Sequence, residues 1–320
     1  MKALIFLICL GNLMAGEYKV DYELDGSKIH SKFSSKIEPI LRAPSGSVIR
    51  AQTREATDGQ FTPQSTVEAL ATLDLNRVHP LTGPVYIEGA KPGDTLAVTI
   101  LDIELSDWGW AAIVPGLGLL SDEFNQPYLK HFRLNKKTGK VAFNDKIELP
   151  LNPFPGVMGV APATEEMLST IPPRANGGNL DDPHLIPGTT VYFPVFVEGA
   201  LFSIGDPHAT QGLGEVCGTA IESPLEITYR IELIKGGRKI PETQYETDDF
   251  YATTGFATTI DEAAKKATRF MVDYLAEVHA LSRTEAYVLC SLAGNLHIAE
   301  TVDIPHMLVT MHMPKSIFKK

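Results

Sequence analysis

Cysteine is scarce: Cys9, Cys217 and Cys290 are the only three in 320 residues. That number excludes a disulfide framework. Basic clusters are missing as well. Lys and Arg total 28 against 39 Asp and Glu, and the formal net charge is -11. Phosphate binding needs a concentrated basic surface, so a nucleic-acid partner is excluded. Beyond the N-terminus no apolar run approaches about 18 residues, so the mature form is expected to have no membrane span. There is no G-x-S-x-G nucleophile elbow and no H-E-x-x-H helix. A Walker loop and a strand-borne G-x-G-x-x-G are also absent. Neither βαβ alternation nor an internal repeat is visible. Charged residues are 21% and hydrophobic residues 44%, proportions that fit a packed core and not a disordered chain or coiled coil.

The N-terminus reads MKALIFLICLGNLMAGEYKV. One Lys precedes an apolar run from Ala3 to about Leu13, and the small residues Ala15 and Gly16 come before Glu17. This order predicts a secretory signal peptide over residues 1–16, a mature domain over 17–320, and a secreted product. A buried N-terminal strand or helix is the other reading. Cys9 would leave with the signal. Cys217 and Cys290 would then either pair or stay as small apolar residues, with a buried structural role the expectation for Cys217.

The first two thirds read as β structure. DTLAVTILDIEL follows the turn KPGD and is rich in β-branched residues. In SPLEITYRIEL, Leu225, Ile227, Tyr229, Ile231 and Leu233 point one way and Glu226, Thr228, Arg230 and Glu232 the other. TTVYFPVFVEGALF alternates too, and its interior Pro194 predicts an edge or bulged strand. RAPSGS, HPLTGP, PLNPFPG, IPPRANGGN and DDPHLIPG read as turns or loops. Residues 259–293 differ. Ala263, Ala267, Phe270, Met271, Tyr274, Val278 and Leu281 fall at helical spacing. Ser282 and Glu285 form a capping box before a second helix ending near Gly294. HMLVTMHM reads as a closing strand. The fold class is mostly β, a β-sandwich or barrel body with a small helical segment near the C-terminus.

Ligand-type side chains gather in GALFSIGDPHATQGLGE, residues 199–215. Asp206 and His208 stand at i and i+2, and Pro207 disfavours a helix there, so extended backbone would aim both at one ion. A carboxylate with an imidazole suits zinc or a similar divalent metal. Glu215 follows a bend that Gly205, Gly212 and Gly214 would permit. A polar surface loop with an incidental histidine is the bland reading. NGGNLDDPH places Asn176, Asn179, Asp181, Asp182 and His184 together. Locally it reads as a hairpin turn with a solvated tip, or as a source of hard oxygen ligands. His79 opens a loop. Trp108 and Trp110 alternate as on a strand, either walling a small apolar pocket or serving as core or edge aromatics.

Five phrases together resemble the acetamidase/formamidase family: HPLTGPVYIEGAKPGDTLAV, WGWAAIVPGLGLL, PFPGVMGVAPA, PPRANGGNLD and LFSIGDPHATQGLGEVCGTAIESP. They cover roughly residues 28–315. The resemblance implies a β-sandwich-like body with added α/β elements, hydrolysis of a small aliphatic amide, and a divalent metal, zinc or calcium. On that basis Asp206 and His208 would hold the ion, with Asp181 as third ligand. Glu215 would act as catalytic base and acid. Gln211, Asn179 and His79 would orient the amide or its oxyanion, and Trp108 would wall the substrate cavity. One departure is Leu213, which stands where the family pattern usually carries an acid. The signal-like N-terminus is a second. Two rival readings stay open: a secreted metal-dependent β-sandwich module that binds without turnover, and a hydrolase of a larger amide. A symmetric homo-oligomer is the default for a β-rich chain of this size.

Overall fold

The computed structural model describes residues 18–319, so the signal-peptide segment and Cys9 lie outside the described residues. Two antiparallel-dominated sheets dominate the molecule. The larger has nine strands in the order Tyr22–Leu24, Val48–Thr53, Leu225–Ile234, Thr95–Leu105, Thr190–Pro194, Gln244–Glu246, Phe250–Ala257, Met307–Pro314, Asn295–Glu300. The smaller has six strands. Phe202–His208 lies at its middle, between Phe154–Gly159 and Leu81–Ile87.

The main core lies between these sheets. Ile49, Val98, Phe193, Ile227 and Tyr229 from the larger sheet join Val85, Ile87, Phe154, Met158, Phe202 and Ile204 from the smaller in one buried cluster. This is the sandwich the alternating patterns predict. Leu225, Ile227, Tyr229 and Ile231 are buried, and Leu233 packs at the margin. Burying each such side chain contributes roughly 1.5–3 kcal/mol.

Helix α1, Ile260–Val278, and helix α2, Arg283–Ala293, pack on the far end of the large sheet. α1 buries Ala263, Ala267, Met271, Val272 and Leu275, while Val278 is exposed. Ser282 and Glu285 cap α2 reciprocally, as their spacing predicts. Among the described residues no helix is long and apolar enough to cross a membrane.

Several expectations need correction. Thr190–Pro194 is an interior strand, not an edge or a bulge. Pro194 is tolerated because it is the strand's last residue, opposite Thr95, beyond the point where Gln244–Glu246 pairs. HPLTGP, PLNPFPG and IPPRANGGN do not simply turn: Leu81–Ile87, Phe154–Gly159 and Gly177–Asn179 are strands of the smaller sheet. Their glycines allow close approach. A Cβ on Gly83 would lie 2.7 Å from Ser203 Oγ, and one on Gly177 2.4 Å from the Met158 carbonyl oxygen. Cys217 is exposed rather than buried, and it and the buried Cys290 are both free thiols.

Gly255 shows the same economy at the helix layer. A Cβ there would sit 2.4 Å from the Ala263 carbonyl oxygen and 2.6 Å from the Ala267 nitrogen. Gly255→Ala should therefore destabilise the fold by about 1–3 kcal/mol through overpacking. Gly212→Ala, with no atom within 4 Å of its new methyl, should stay within about 0.5 kcal/mol of the parent. Denaturant unfolding of both variants checks this, and equal stabilities would contradict it.

Candidate active site

The middle strand of the smaller sheet carries Asp206 and His208, both buried. GDPH is thus part of a strand and not of an open loop. Nor is Asp206 plainly extended, because its φ is 51°. The ladder skips at this point. Val157 faces Gly205 and Pro155 faces Pro207, which leaves Gly156 across from Asp206. A Cβ on Gly156 would lie 2.5 Å from Asp181 Oδ1, 2.7 Å from Asp206 Oδ2 and 2.8 Å from His208 Cε1. The missing side chain leaves one small space that all three residues border.

His208 is the centre. Its Nδ1 is 3.7 Å from Asp181 Oδ1. Its Nε2 is 3.4 Å from Asp206 Oδ2 and 3.2 Å from Glu222 Oε2. Phe154 meets the ring edge-to-face at 5.0 Å. Asp181 lies beyond the Gly177–Asn179 strand, with φ 41° and complete burial. The Asx-rich segment is therefore not a solvated hairpin tip: Asn176, Asn179, Asp181 and Asp182 are all buried.

Glu215 arrives on the chain that follows. Gly214, at φ 96°, donates to the Ala299 carbonyl at 2.8 Å, and its own carbonyl accepts from Thr301 Oγ1 at 2.9 Å. That pinning turns Glu215 inward. Of the loop glycines only Gly214 serves the bend. Gly205 is needed because a Cβ would meet the Pro80 carbonyl oxygen at 2.4 Å, and Gly212 is unconstrained. Asp181, Asp206 and Glu215 all hold positive φ. Such backbone costs of order 1–3 kcal/mol per residue and persists where the surroundings impose it.

The structure thus brings Asp181, Asp206, His208 and Glu215 together. His79 stands beside them, with Nε2 3.7 Å from Asp206 Oδ2. Asn179 Nδ2 donates to Asp303 Oδ2 at 2.7 Å, and Gln211 Nε2 donates to the Asp181 carbonyl at 2.8 Å. Both side-chain carbonyl oxygens stay free of donors. Trp108 lies elsewhere. It packs with the Phe61 and Trp110 group and lines a cavity of about 760 Å³ that none of the clustered acids borders. Leu213 is exposed.

Three acids were not foreseen. Glu222 is bridged by backbone to both His208 and Trp110. Glu300 and Asp303 arrive from the last-but-one strand, Asn295–Glu300, and the turn that follows it. Glu222 lies within the long resembling phrase, so it was open to notice. Glu300 and Asp303 sit in AETVDIPH, where nothing local marks them.

Burial dominates the electrostatics. It pushes Asp181 up to about 8, with Asp206 adding repulsion and His208 opposing. Glu300 rises to about 7 through burial. Glu215 and Asp303 are held well above ordinary carboxylates by burial and by neighbouring acids. Glu222 is raised by burial as well. For Asp206 burial works in the same sense, yet facing His79 and His208 hold it below the usual value. Burial works against the charge on His208, yet Glu222 and Asp206 lift it well above a free imidazole.

Six buried acids crowd two imidazoles, an excess of carboxyl groups that is relieved either by protonation or by a cation. Buried oxygens without donors include both of Asp181, Asp206 Oδ1 and Glu300 Oε1. Orphaned acceptors are costly, and a cation is what satisfies several at once. Two sets have ligand atoms within 4.8 Å of one another: Asp181, His208 and Glu215, and Asp206, His208 and Glu222. Carboxylates with an imidazole, bordering the space at Gly156, fit a divalent cation.

The sequence profile of the Acetamidase/Formamidase family matches residues 17–169 and 163–320. The formamidase of Methylophilus methylotrophus is 28% identical over 94% of this chain and 92% of its own length. The acetamidase of Mycolicibacterium smegmatis is 30% identical over 65% of this chain and 66% of its own. The crystal structure of the acetamidase of Bacillus halodurans matches with a TM-score of 0.87 and 35% identity, covering 92% of this chain and 98% of that one. The fold shared with a 35% identical acetamidase and a profile match running nearly end to end agree: this chain belongs to the acetamidase/formamidase family.

Proposed function

We propose that this chain hydrolyses the C–N bond of a small linear amide, formamide or acetamide, giving a carboxylate and ammonia, and that it does so with a divalent cation. The reading rests on one observation above all: buried, donor-less carboxylate oxygens converge with His208 on the space left by Gly156. Family membership and the names of the relatives support the amide class.

Asp181, Asp206 and His208 would hold the cation. An imidazole in the set favours zinc over calcium, which takes six to eight oxygens. When bound, such an ion polarises a carbonyl and acidifies water.

The chain's own groups do the rest. With its Nε2–H facing Glu222 and Asp206, His208 keeps Nδ1 free toward Asp181. Glu215 sits in the same ligand-distance group as Asp181 and His208. Its raised proton affinity suits a carboxylate that takes the proton of an attacking water and hands it to the departing nitrogen. Water oxygen bonds to the carbonyl carbon, the C–N bond breaks, and the nitrogen leaves as ammonia. Asn179 Oδ1 and Gln211 Oε1 are free acceptors, fitted to the substrate N–H groups, and His79, 3.7 Å from Asp206, stands where it could orient the amide. Secretion is part of this reading and rests on the N-terminal pattern. Assembly into a homo-oligomer is supported by exposed Leu119, Leu120 and Val216 beside the site loop.

Ammonia release from formamide and acetamide, with and without chelator, tests the proposal. Release that stops with chelator and returns with zinc is expected. Metal-loaded protein that binds but never turns over either amide would favour the binding module, and turnover of longer amides alone would favour the larger-substrate hydrolase. His208→Ala should lose the cation equivalent held by this acid cluster and turnover together; a fully active variant that keeps that equivalent contradicts the ligand assignment.

Gly156→Ala places a methyl in the shared space. Its kcat/KM should fall by about 100-fold, as expected for misplacement on the scale of an ångström. Activity near the parent's would show that the space is not used.

The raised acids and His208 bind protons more tightly folded than unfolded. Burial shifts His30, His79 and His312 down, and they oppose this up to their ordinary value of 6.5, so stability of the metal-free protein should fall as pH rises from 6.5 through about 8. Asp206, shifted the other way, acts only below that window. Saturating zinc should flatten the decline by binding the folded form. Thermal melts across this pH range check both, and a metal-free Tm that rises over it would contradict the electrostatics.

A further inference from the structure

A second group of ligating side chains lies outside the acid cluster. His184, His297 and His312 each offer a ring nitrogen, and these atoms lie within 4.8 Å of one another. The rings are packed together. His297 and His312 stack at 4.2 Å, and His184 meets His312 edge-on at 4.7 Å. Together they line an open cavity of about 570 Å³ whose wall also includes Asp249 and Lys315.

The polar groups behind the rings select the tautomers. Asp182 is buried and accepts from both the backbone N–H and the ring Nδ1 of His184, the latter at 2.7 Å. That leaves His184 Nε2 with its lone pair. The Tyr245 hydroxyl donates to the other Asp182 oxygen. With that proton committed, the Tyr245 oxygen accepts from His312 Nε2–H at 2.7 Å. Thr310 Oγ1 also stands 2.9 Å from His312 Nε2; with Nε2–H shared between these two hydroxyl oxygens, His312 Nδ1 carries the lone pair. Among the described residues, no donor reaches His184 Nε2, His312 Nδ1 or either nitrogen of His297. A carboxylate behind a histidine, fixing its tautomer and raising its basicity, is the arrangement that supports metal-ligating imidazoles.

We propose that His184, His297 and His312 form a second metal site, distinct from the acid cluster, that takes a zinc-type divalent ion. Three imidazoles with no oxygen ligand select against calcium and magnesium. The cavity side leaves a fourth position open to water, the pattern of three protein ligands plus solvent. Bonds of about 2.0–2.1 Å form in the plane of each ring, so one of the stacked pair His297 and His312 has to turn out of the stack to ligate. His297, half-buried on the sheet's outermost strand, Asn295–Glu300, is the ring with room to move.

Equilibrium dialysis against zinc, followed by metal analysis, tests the site on the full chain. His297→Ala should lose one zinc equivalent relative to the parent. The same loss should appear in a His208→Ala background, where the acid cluster lacks its imidazole, so the outcome does not depend on how that cluster behaves. Tyr245→Phe removes the proton relay and should weaken this site by about 10-fold. Thermal melts without metal confirm folding, and His297→Gln stands in should the alanine variant fail to fold. Equal zinc content with and without His297, in either background, overturns the proposal. So does a folded His208→Ala protein that binds no zinc.

Discussion

Carboxylates packed around one imidazole, out of reach of water, are the constraint on which the rest of this structure depends. Ionised groups removed from water lose solvation that only opposite charge or hydrogen bonds offset. Here the donors are too few. Both Asp181 oxygens, Asp206 Oδ1 and Glu300 Oε1 lack them. The surrounding fold is shaped to hold these groups regardless. Three acids sit on left-handed backbone, and Gly156 carries no side chain at the place where a methyl would strike Asp181, Asp206 and His208. Stability is given up locally so that one small, carboxylate-lined space exists inside a sandwich.

The C-terminal elements gain a purpose from this. The strands Asn295–Glu300 and Met307–Pro314 extend the large sheet and receive α1 and α2. The first strand and its following turn also deliver Glu300 and Asp303 to the acid cluster, while His297 and His312 point to the group at His184. Asp181 and Asp182 are consecutive residues with opposite duties. Asp181 faces His208, and Asp182 holds His184 and Tyr245. The left-handed backbone at Asp181 lets neighbouring carboxylates serve two separate clusters.

The large sheet was legible because its strands bury alternate β-branched and aromatic residues, as Leu225–Ile234 does. The helices were legible from the spacing of Ala263, Ala267 and Met271 and from the Ser282 capping box. The smaller sheet was hidden. Its strands contain Gly83, Pro84, Pro155, Gly156 and Gly177, residues that normally punctuate turns. They stand there because backbone and carboxylates crowd the site, a requirement of tertiary structure that no local pattern carries. Asp206, His208 and Glu215 could be picked out because they share one segment. His312 comes from a phrase that reads only as strand, and His297, Glu300 and Asp303 from a stretch before it with no pattern of its own; only the sheet order brings them in. Trp108 is the converse case, a suggestive residue that the fold sends to a different cavity.

The most direct test is anomalous diffraction from crystals of the protein prepared with zinc. The account predicts a peak in the space at Gly156, bounded by Asp181, Asp206 and His208, with Glu215 beside it. Fully active protein whose crystals show no density there, with these acids bonded only to one another, would contradict it.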